Sequence, residues 1–315
     1  MPFRDATTGC AEVNHKRSTI LGLFALLLWS ASIALSRRLS EELGPLAAGA
    51  AVYLTAGALL VGWTRLQGKS PGALRDLPLR YVLGCGALFV LYTAALFLAL
   101  GRAADRQQAV EVGLVNYLWP ALTVLLSLPI LGKRAGPWLV PGTALAVLGV
   151  CLVVAQGNAI TWRSFSGNLA ANPLPYALGL AAAVSWALFS TLTRRWTAPG
   201  RGGAIPLFCV ATGLALLVIR FLSPEAGSCS IRVVIEVAAL GSVTAAANAF
   251  WDVAMRRGDV VLVAACSYLT PLFSTAVSCL YLGVRPGPGL WAGCLLLIVG
   301  SLASWASIER QGRAA

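Results

Sequence analysis

The chain has 315 residues, of which 58% are apolar and only 11% charged, whereas a soluble domain carries about a quarter charged residues. A formal net charge of +12 would suit nucleic acid. The basic residues, however, lie in short loops between apolar runs, with no basic helix face and no aromatic-basic interleaving, so nucleic-acid binding is set aside.

Residues 1–17 form a polar tail, expected on the cytoplasmic side. Ten apolar runs follow, at about 18–36, 46–64, 80–101, 110–131, 137–155, 174–193, 203–221, 233–255, 260–282 and 288–307. Each is long enough for a helix to cross a hydrocarbon core roughly 30 Å thick. The first run lacks a small-residue cleavage site and reads as an uncleaved span. The longest connection, 156–173, is rich in Gly, Asn, Ser and Pro and divides the chain into two sets of five spans. Residues 308–315 form a second tail.

Alternate assignment of the loops to two sides places 16 of the 24 Lys and Arg residues with the N-terminal tail and 8 on the other side. The positive-inside rule then puts both termini in the cytoplasm and the 156–173 linker outside.

Tryptophans divide by depth. Trp63, Trp138, Trp196, Trp291 and Trp305 lie at span ends and suit interfacial anchoring, whereas Trp29, Trp119, Trp186 and Trp251 lie deeper. The deep rings can pack helices or form a wall against which a solute ring stacks.

Span four contains Asn116-Tyr117-Leu118-Trp119-Pro120, with Asn116, Pro120, Thr123 and Ser127 on one helical face. Span nine repeats the pattern 151 positions later: Ser267, Pro271, Ser274 and Ser278 share a face. Trp29 precedes Arg37-Arg38 as Trp186 precedes Arg194-Arg195. Thr93 in span three matches Asn248 in span eight, and Gly142 and Gly149 match Gly293 and Gly300. A repeat of five spans, being odd, inserts its second copy inverted. Pro-interrupted helices at corresponding positions of inverted halves mark the central site of many secondary transporters. The expected fold is therefore an all-α membrane protein of ten transmembrane helices, built from five-helix repeats at 18–155 and 174–307.

On these residues the chain resembles a ten-span member of the drug/metabolite transporter superfamily with two EamA-type repeats. The family pattern is a Pro-centred fourth helix, then Leu-Gly, a turn and a Gly-rich fifth helix, and both halves carry it. A Glu often follows that Leu-Gly; here Lys133 and Val284 stand in its place. The Asn116–Pro120 pentapeptide is similar to that of the family's aromatic amino acid exporters. The resemblance implies alternating-access export of amino acids, aromatic ones foremost, across a bacterial inner membrane. The implied partners are a small-molecule substrate and the lipid bilayer, with no cofactor. Export of another small neutral metabolite, such as a purine or a threonine-like amino acid, remains open, as does a receptor or structural subunit that transports nothing.

Nothing points to catalysis. The lone His15 lies in the tail, and no nucleotide-binding glycine pattern sits in a strand–helix setting. Of the eight cysteines, Cys85, Cys151, Cys209, Cys266, Cys279 and Cys294 lie in apolar runs, without CxxC or Cys/His spacing, so neither a disulfide framework nor a metal site is expected. The candidate substrate-binding residues are Trp29, Tyr92, Asn116, Tyr117, Trp119, Trp186, Asn248, Trp251 and Tyr268, and Pro120 and Pro271 are candidate hinges. Isolated Ser and Thr hydroxyls are expected to bond their own helices. No Lys or Arg lies deep in a span, which disfavours phosphorylated solutes. Glu111 and Glu236 fall near span ends, and Asp252 is placed to pair with Arg256 one turn on.

Overall fold

The computed structural model describes residues 6–68, 76–155, 162–197, 202–223, 227–270, 272–273 and 288–312. Every regular element among them is helical. A helix satisfies its own backbone groups without water, which suits a chain this apolar.

In chain order, α1 runs Ala6–Leu43 and α2 Pro45–Leu66. A wide π-turn at Arg80–Cys85 leads into α3, Gly86–Gly101. Then come α4 (Arg106–Asn116), α5 (Trp119–Leu131), α6 (Leu139–Ala155), α7 (Trp162–Ala171) and α8 (Leu174–Trp196). The chain continues through α9 (Ile205–Leu222), α10 (Ile231–Arg257), α11 (Val260–Cys266) with a 3-10 turn at Ser267–Leu269, and α12 (Pro288–Gly312). Seven helical segments are long and apolar enough to cross a membrane, or eight if α1, bent by 48° between Ser32 and Leu35, counts as one span.

Outward faces carry Leu66, Leu79, Phe221, Leu222 and Ile231, each at least 70% exposed, as expected of a surface that meets lipid rather than water. Trp63, Trp138 and Trp291 are exposed at helix ends, whereas Trp119, Trp186 and Trp251 are buried.

Helices pack in pairs drawn from distant parts of the chain: α1 with α10, α2 with α9, α3 with α8, α5 with α8 and α11, and α6 with α12. α1 and α10 run antiparallel, because Gly22 meets Ala254 at one end while Leu39 joins Val233 and Leu240 at the other. The α6–α12 contact depends on small residues. A Cβ on Gly300 would lie 2.4 Å from the backbone nitrogen of Ala146, and one on Gly149 2.7 Å from that of Leu297. Without an apolar solvent penalty to drive helices together in lipid, such backbone approach supplies the attraction.

Two expectations need amendment. The linker at 156–173 is not all loop, since α7 occupies most of it. Its Ser164 and Asn168, one turn apart, both donate to Glu111 of α4 (3.4 and 3.1 Å), so tertiary contact overrides loop-like composition. The second half of span nine, with Pro271, Ser274 and Ser278, lies outside the described residues.

Candidate functional site

The site begins at the interruption of span four. Pro120 lacks the N–H that would reach the Asn116 carbonyl. Within the 25-residue segment Gln107–Leu131 the regular α-helix therefore stops at Asn116 with a tightened turn, where the Tyr117 N–H donates to Gly113 O (3.0 Å) and the Leu118 N–H to Val115 O (3.1 Å). α5 restarts at Trp119 with Pro120 in its first turn, where a missing N–H costs nothing. Span nine departs from the α-helix at the matching place: α11 gives way to the 3-10 turn at Ser267–Leu269, just before Thr270. The Ser30 hydroxyl donates to the Thr270 carbonyl (3.4 Å) and ties this turn to α1.

Between the two interruptions lies a cavity of about 220 Å³ lined by Trp29, Tyr53, Tyr92, Asn116, Tyr117, Trp119, Trp186, Asn248 and Thr270. Seven of the nine sequence-predicted binding residues therefore meet here, from α1, α3, α4, α5, α8 and α10 and the residue joining α4 to α5. The other two do not line it. Trp251 is 1% exposed and sits behind the wall, 5.2 Å from Trp29, 5.5 Å from Trp119 and 5.7 Å from Trp186 between ring centroids. Tyr268 is fully buried in a separate cluster with Ala121, Val150, Cys294 and Leu297. Sequence reasoning missed Tyr53 and gave Thr270 no role. The available signal for Tyr53 was a lone phenol in mid-span, away from the interfacial belts.

The rings form a continuous box. Trp186 meets Trp29 edge-on at 5.6 Å, Trp119 at 6.2 Å and Tyr92 at 4.5 Å. These separations lie in the range where offset and edge-to-face aromatic pairs are favoured. Phe89 and Phe189 pack against Trp186, and Phe208 packs against those two rings in turn. A wall already fixed by its neighbours can stack a solute ring without first paying to order itself.

Polar groups at the cavity fall into two kinds. Some are used locally: the Asn248 amide donates to Thr244 O (2.9 Å); off the lining, Thr93 and Thr123 bond carbonyls one turn back, as expected of isolated hydroxyls. Others are left over. Asn116 Oδ1 and Thr270 Oγ1 are shielded from solvent and have no hydrogen-bond partner among the described residues. The Tyr92 hydroxyl faces the Asn116 side chain. No charged side chain lines the cavity among the described residues.

The two ends of the bundle differ. Beyond Trp29 and Tyr53 a second cavity of about 150 Å³ continues along α1 past Ser32, Ser36 and Ser40, with Thr244 opposite. The other end is closed by a buried polar network. Arg256 pairs with Asp252 at 2.7 Å, as its spacing predicts, and Tyr81 donates to the second carboxylate oxygen at 3.2 Å. Tyr81 in turn accepts from the Ala204 N–H (3.1 Å), and Arg194 donates to the Arg256 carbonyl (2.7 Å). α3's approach, α8, α9's approach and α10 are thereby tied together at the end where α1 starts, beside the bond from the Asp259 N–H to Thr19 (2.9 Å).

Glu111, expected near a span end, is fully buried there. It accepts from the Tyr176 hydroxyl, Asn168 (3.1 Å) and Gln107 (3.3 Å), and so fastens α7 and α8 to α4.

Membrane-length helices around a ring-walled cavity beside a helix interruption suit a carrier of small molecules. Residues 16–155 and 173–305 match the EamA-like transporter family, and the chain belongs to that family. It is thus a multi-pass membrane protein of a transporter family. It is 36% identical over 302 residues to the aromatic amino acid exporter YddG of Escherichia coli (strain K12), covering 95% of this chain and 100% of that one. The protein of the same name from Salmonella typhimurium is also 36% identical, over 300 residues. That from Ancylobacter novellus is 29% identical over 92% of this chain. A crystal structure of 28% sequence identity superposes with a TM-score of 0.79 over 94% of this chain and 99% of the other.

Proposed function

We propose that the protein exports aromatic amino acids across a bacterial inner membrane by alternating access. The observation that carries the reading is the cavity of about 220 Å³ with six aromatic side chains in its wall and uncharged polar groups at the helix interruptions. A cavity on the order of 150 Å³ lined by apolar side chains already takes up benzene, so this one has room for a ring and a small polar head. The relatives' printed activity, aromatic amino acid export, agrees with that chemistry.

The ten-span, inverted-repeat architecture belongs to the same proposal, with repeats at 18–155 and 174–307, both termini cytoplasmic and 156–173 periplasmic. The packing supports it. Exchanging the halves maps the α1–α10 pair onto α8–α3, and maps α2–α9 and α6–α12 onto themselves. In this orientation the Asp252 network closes the cytoplasmic end, and the Ser32–Ser36–Ser40 cavity leads toward the periplasm. Pro120 and Pro271 act as hinges between half-helices, and Trp251 and Tyr268 act on the substrate only as the wall repacks during exchange.

The test is counterflow of a panel of amino acids by purified protein in liposomes. Phenylalanine, tyrosine and tryptophan should exchange fastest, and sugar phosphates should not compete. Faster exchange of a purine or of threonine would replace aromatic amino acids as the substrate. Exchange of none would leave a non-transporting membrane protein.

A further inference from the structure

The aromatic box explains how a ring is held but not how an amino acid is told from a bare ring. The two unpaired polar atoms bear on that question. Asn116 Oδ1 and Thr270 Oγ1 belong to residues that line the cavity, both are shielded from solvent and neither has a hydrogen-bond partner among the described residues. An unsatisfied buried polar atom is destabilising, and native structures keep few of them. Here each sits at an interruption, one at the last residue of α4 and the other directly after the 3-10 turn that follows α11. Most other hydroxyls on these seams close on their own helices: Thr123 on Trp119 O, Ser127 on Val124 O and Ser267 on Val263 O. Asn248, the second amide at the cavity, spends a donor on Thr244 O. Other buried polar atoms without a partner among the described residues, such as Ser190 Oγ, Thr212 Oγ1 and Trp251 Nε1, lie off the cavity lining, whereas these two are on it.

Their chemistry differs. An amide oxygen only accepts, so it can serve an ammonium but not a carboxylate. A hydroxyl donates as well, so it can serve a carboxylate. Each would complete a charge-assisted hydrogen bond to the solute, stronger than a neutral one. We infer that Asn116 and Thr270 are the specificity pair for the amino acid head group, with Asn116 Oδ1 accepting from the α-ammonium and the Thr270 hydroxyl donating to the α-carboxylate, while Trp29, Trp119 and Trp186 hold the ring. This assignment rests on the aromatic amino acid reading above and adds a division of labour between the two halves of the chain. The site rejects a solute lacking either group because a buried polar atom is then left unpaired.

The test is a cross of two variants against three solutes, measured by equilibrium binding to purified protein in detergent or nanodiscs. The solutes are L-phenylalanine, phenethylamine (no carboxylate) and 3-phenylpropionate (no ammonium). Wild type should bind phenylalanine about tenfold or more tightly than either analogue. Thr270→Val keeps the shape and removes the hydroxyl. It should weaken phenylalanine and 3-phenylpropionate by about tenfold while leaving phenethylamine within about twofold. Asn116→Leu should give the mirror pattern, with phenethylamine losing and 3-phenylpropionate spared. Thr270→Ser should restore the wild-type pattern. A uniform loss across all three solutes, or no loss, would overturn the assignment while leaving aromatic export intact. If wild type binds no phenylalanine, the export reading and this assignment fail together. Should Asn116→Leu not fold, the Thr270 arm alone decides, since its prediction is a ratio between solutes.

Discussion

Replacing Asp252 by Ala strikes the network that closes one end of the bundle. Asp252 and Arg256 have side chains 2% and 8% exposed and lie 2.7 Å apart, so solvent screens the pair little. The substitution strands the Arg256 guanidinium in a buried site and removes the acceptor of the Tyr81 hydroxyl. Losing one partner of a buried pair costs roughly 3–5 kcal/mol. If the network exists only while that end is shut, the cost falls on the shut state. Because about 1.4 kcal/mol is one decade, the access equilibrium should then move by at least about a hundredfold toward opening at that end. The assay uses a single cysteine at position 270, in a background without the native cysteines, in inside-out vesicles. An impermeant maleimide should label it slowly when Asp252 is present and far faster with Asp252→Ala. Asp252→Asn, which keeps an acceptor for Tyr81, should fall between. An unchanged labelling rate together with a lower melting temperature would refute the reasoning and make the network ordinary structural glue.

Gly300→Val should clash with the Ala146 backbone, which a flexible side chain cannot relieve; overpacking of this kind costs about 1–3 kcal/mol or more, and an unchanged thermal melt would show that α6 and α12 can separate freely. Pro120→Ala and Pro271→Ala should lower transport by about tenfold while phenylalanine binding persists, because alanine restores the N–H that lets an α-helix run on; wild-type rates in both would end the hinge proposal. Single cysteines beside Arg163 and Arg257 should react with an impermeant reagent in intact cells only at Arg163, and labelling beside Arg257 would overturn the ten-span topology. Phenylalanine counterflow should be indifferent to added sugar phosphate, because no Lys or Arg lines the cavity among the described residues.

Much of this protein is legible in its sequence because membrane insertion imposes rules that act on single segments. Length and apolarity mark the spans, and Pro120, which cannot donate to Asn116, marks where one of them breaks. The i, i+4 spacing of Asp252 and Arg256 announces their pair. Distance from the span ends separates the deep tryptophans from the anchoring ones, and Trp29, Trp119 and Trp186 do meet at the cavity. The rest was decided by how helices rotate against one another. Periodicity places residues about a helix's own axis, but lipid is as apolar as a neighbouring leucine, so an all-apolar helix does not say which face turns inward. That is why Tyr53, on a span with no polar seam, lines the cavity unannounced, and why Tyr268, one residue after the seam residue Ser267, packs into another cluster. It is also why Glu111 is buried: beyond Gln107 one turn back, its carboxylate finds donors on α7 and α8, and no local pattern in the chain foretells that docking.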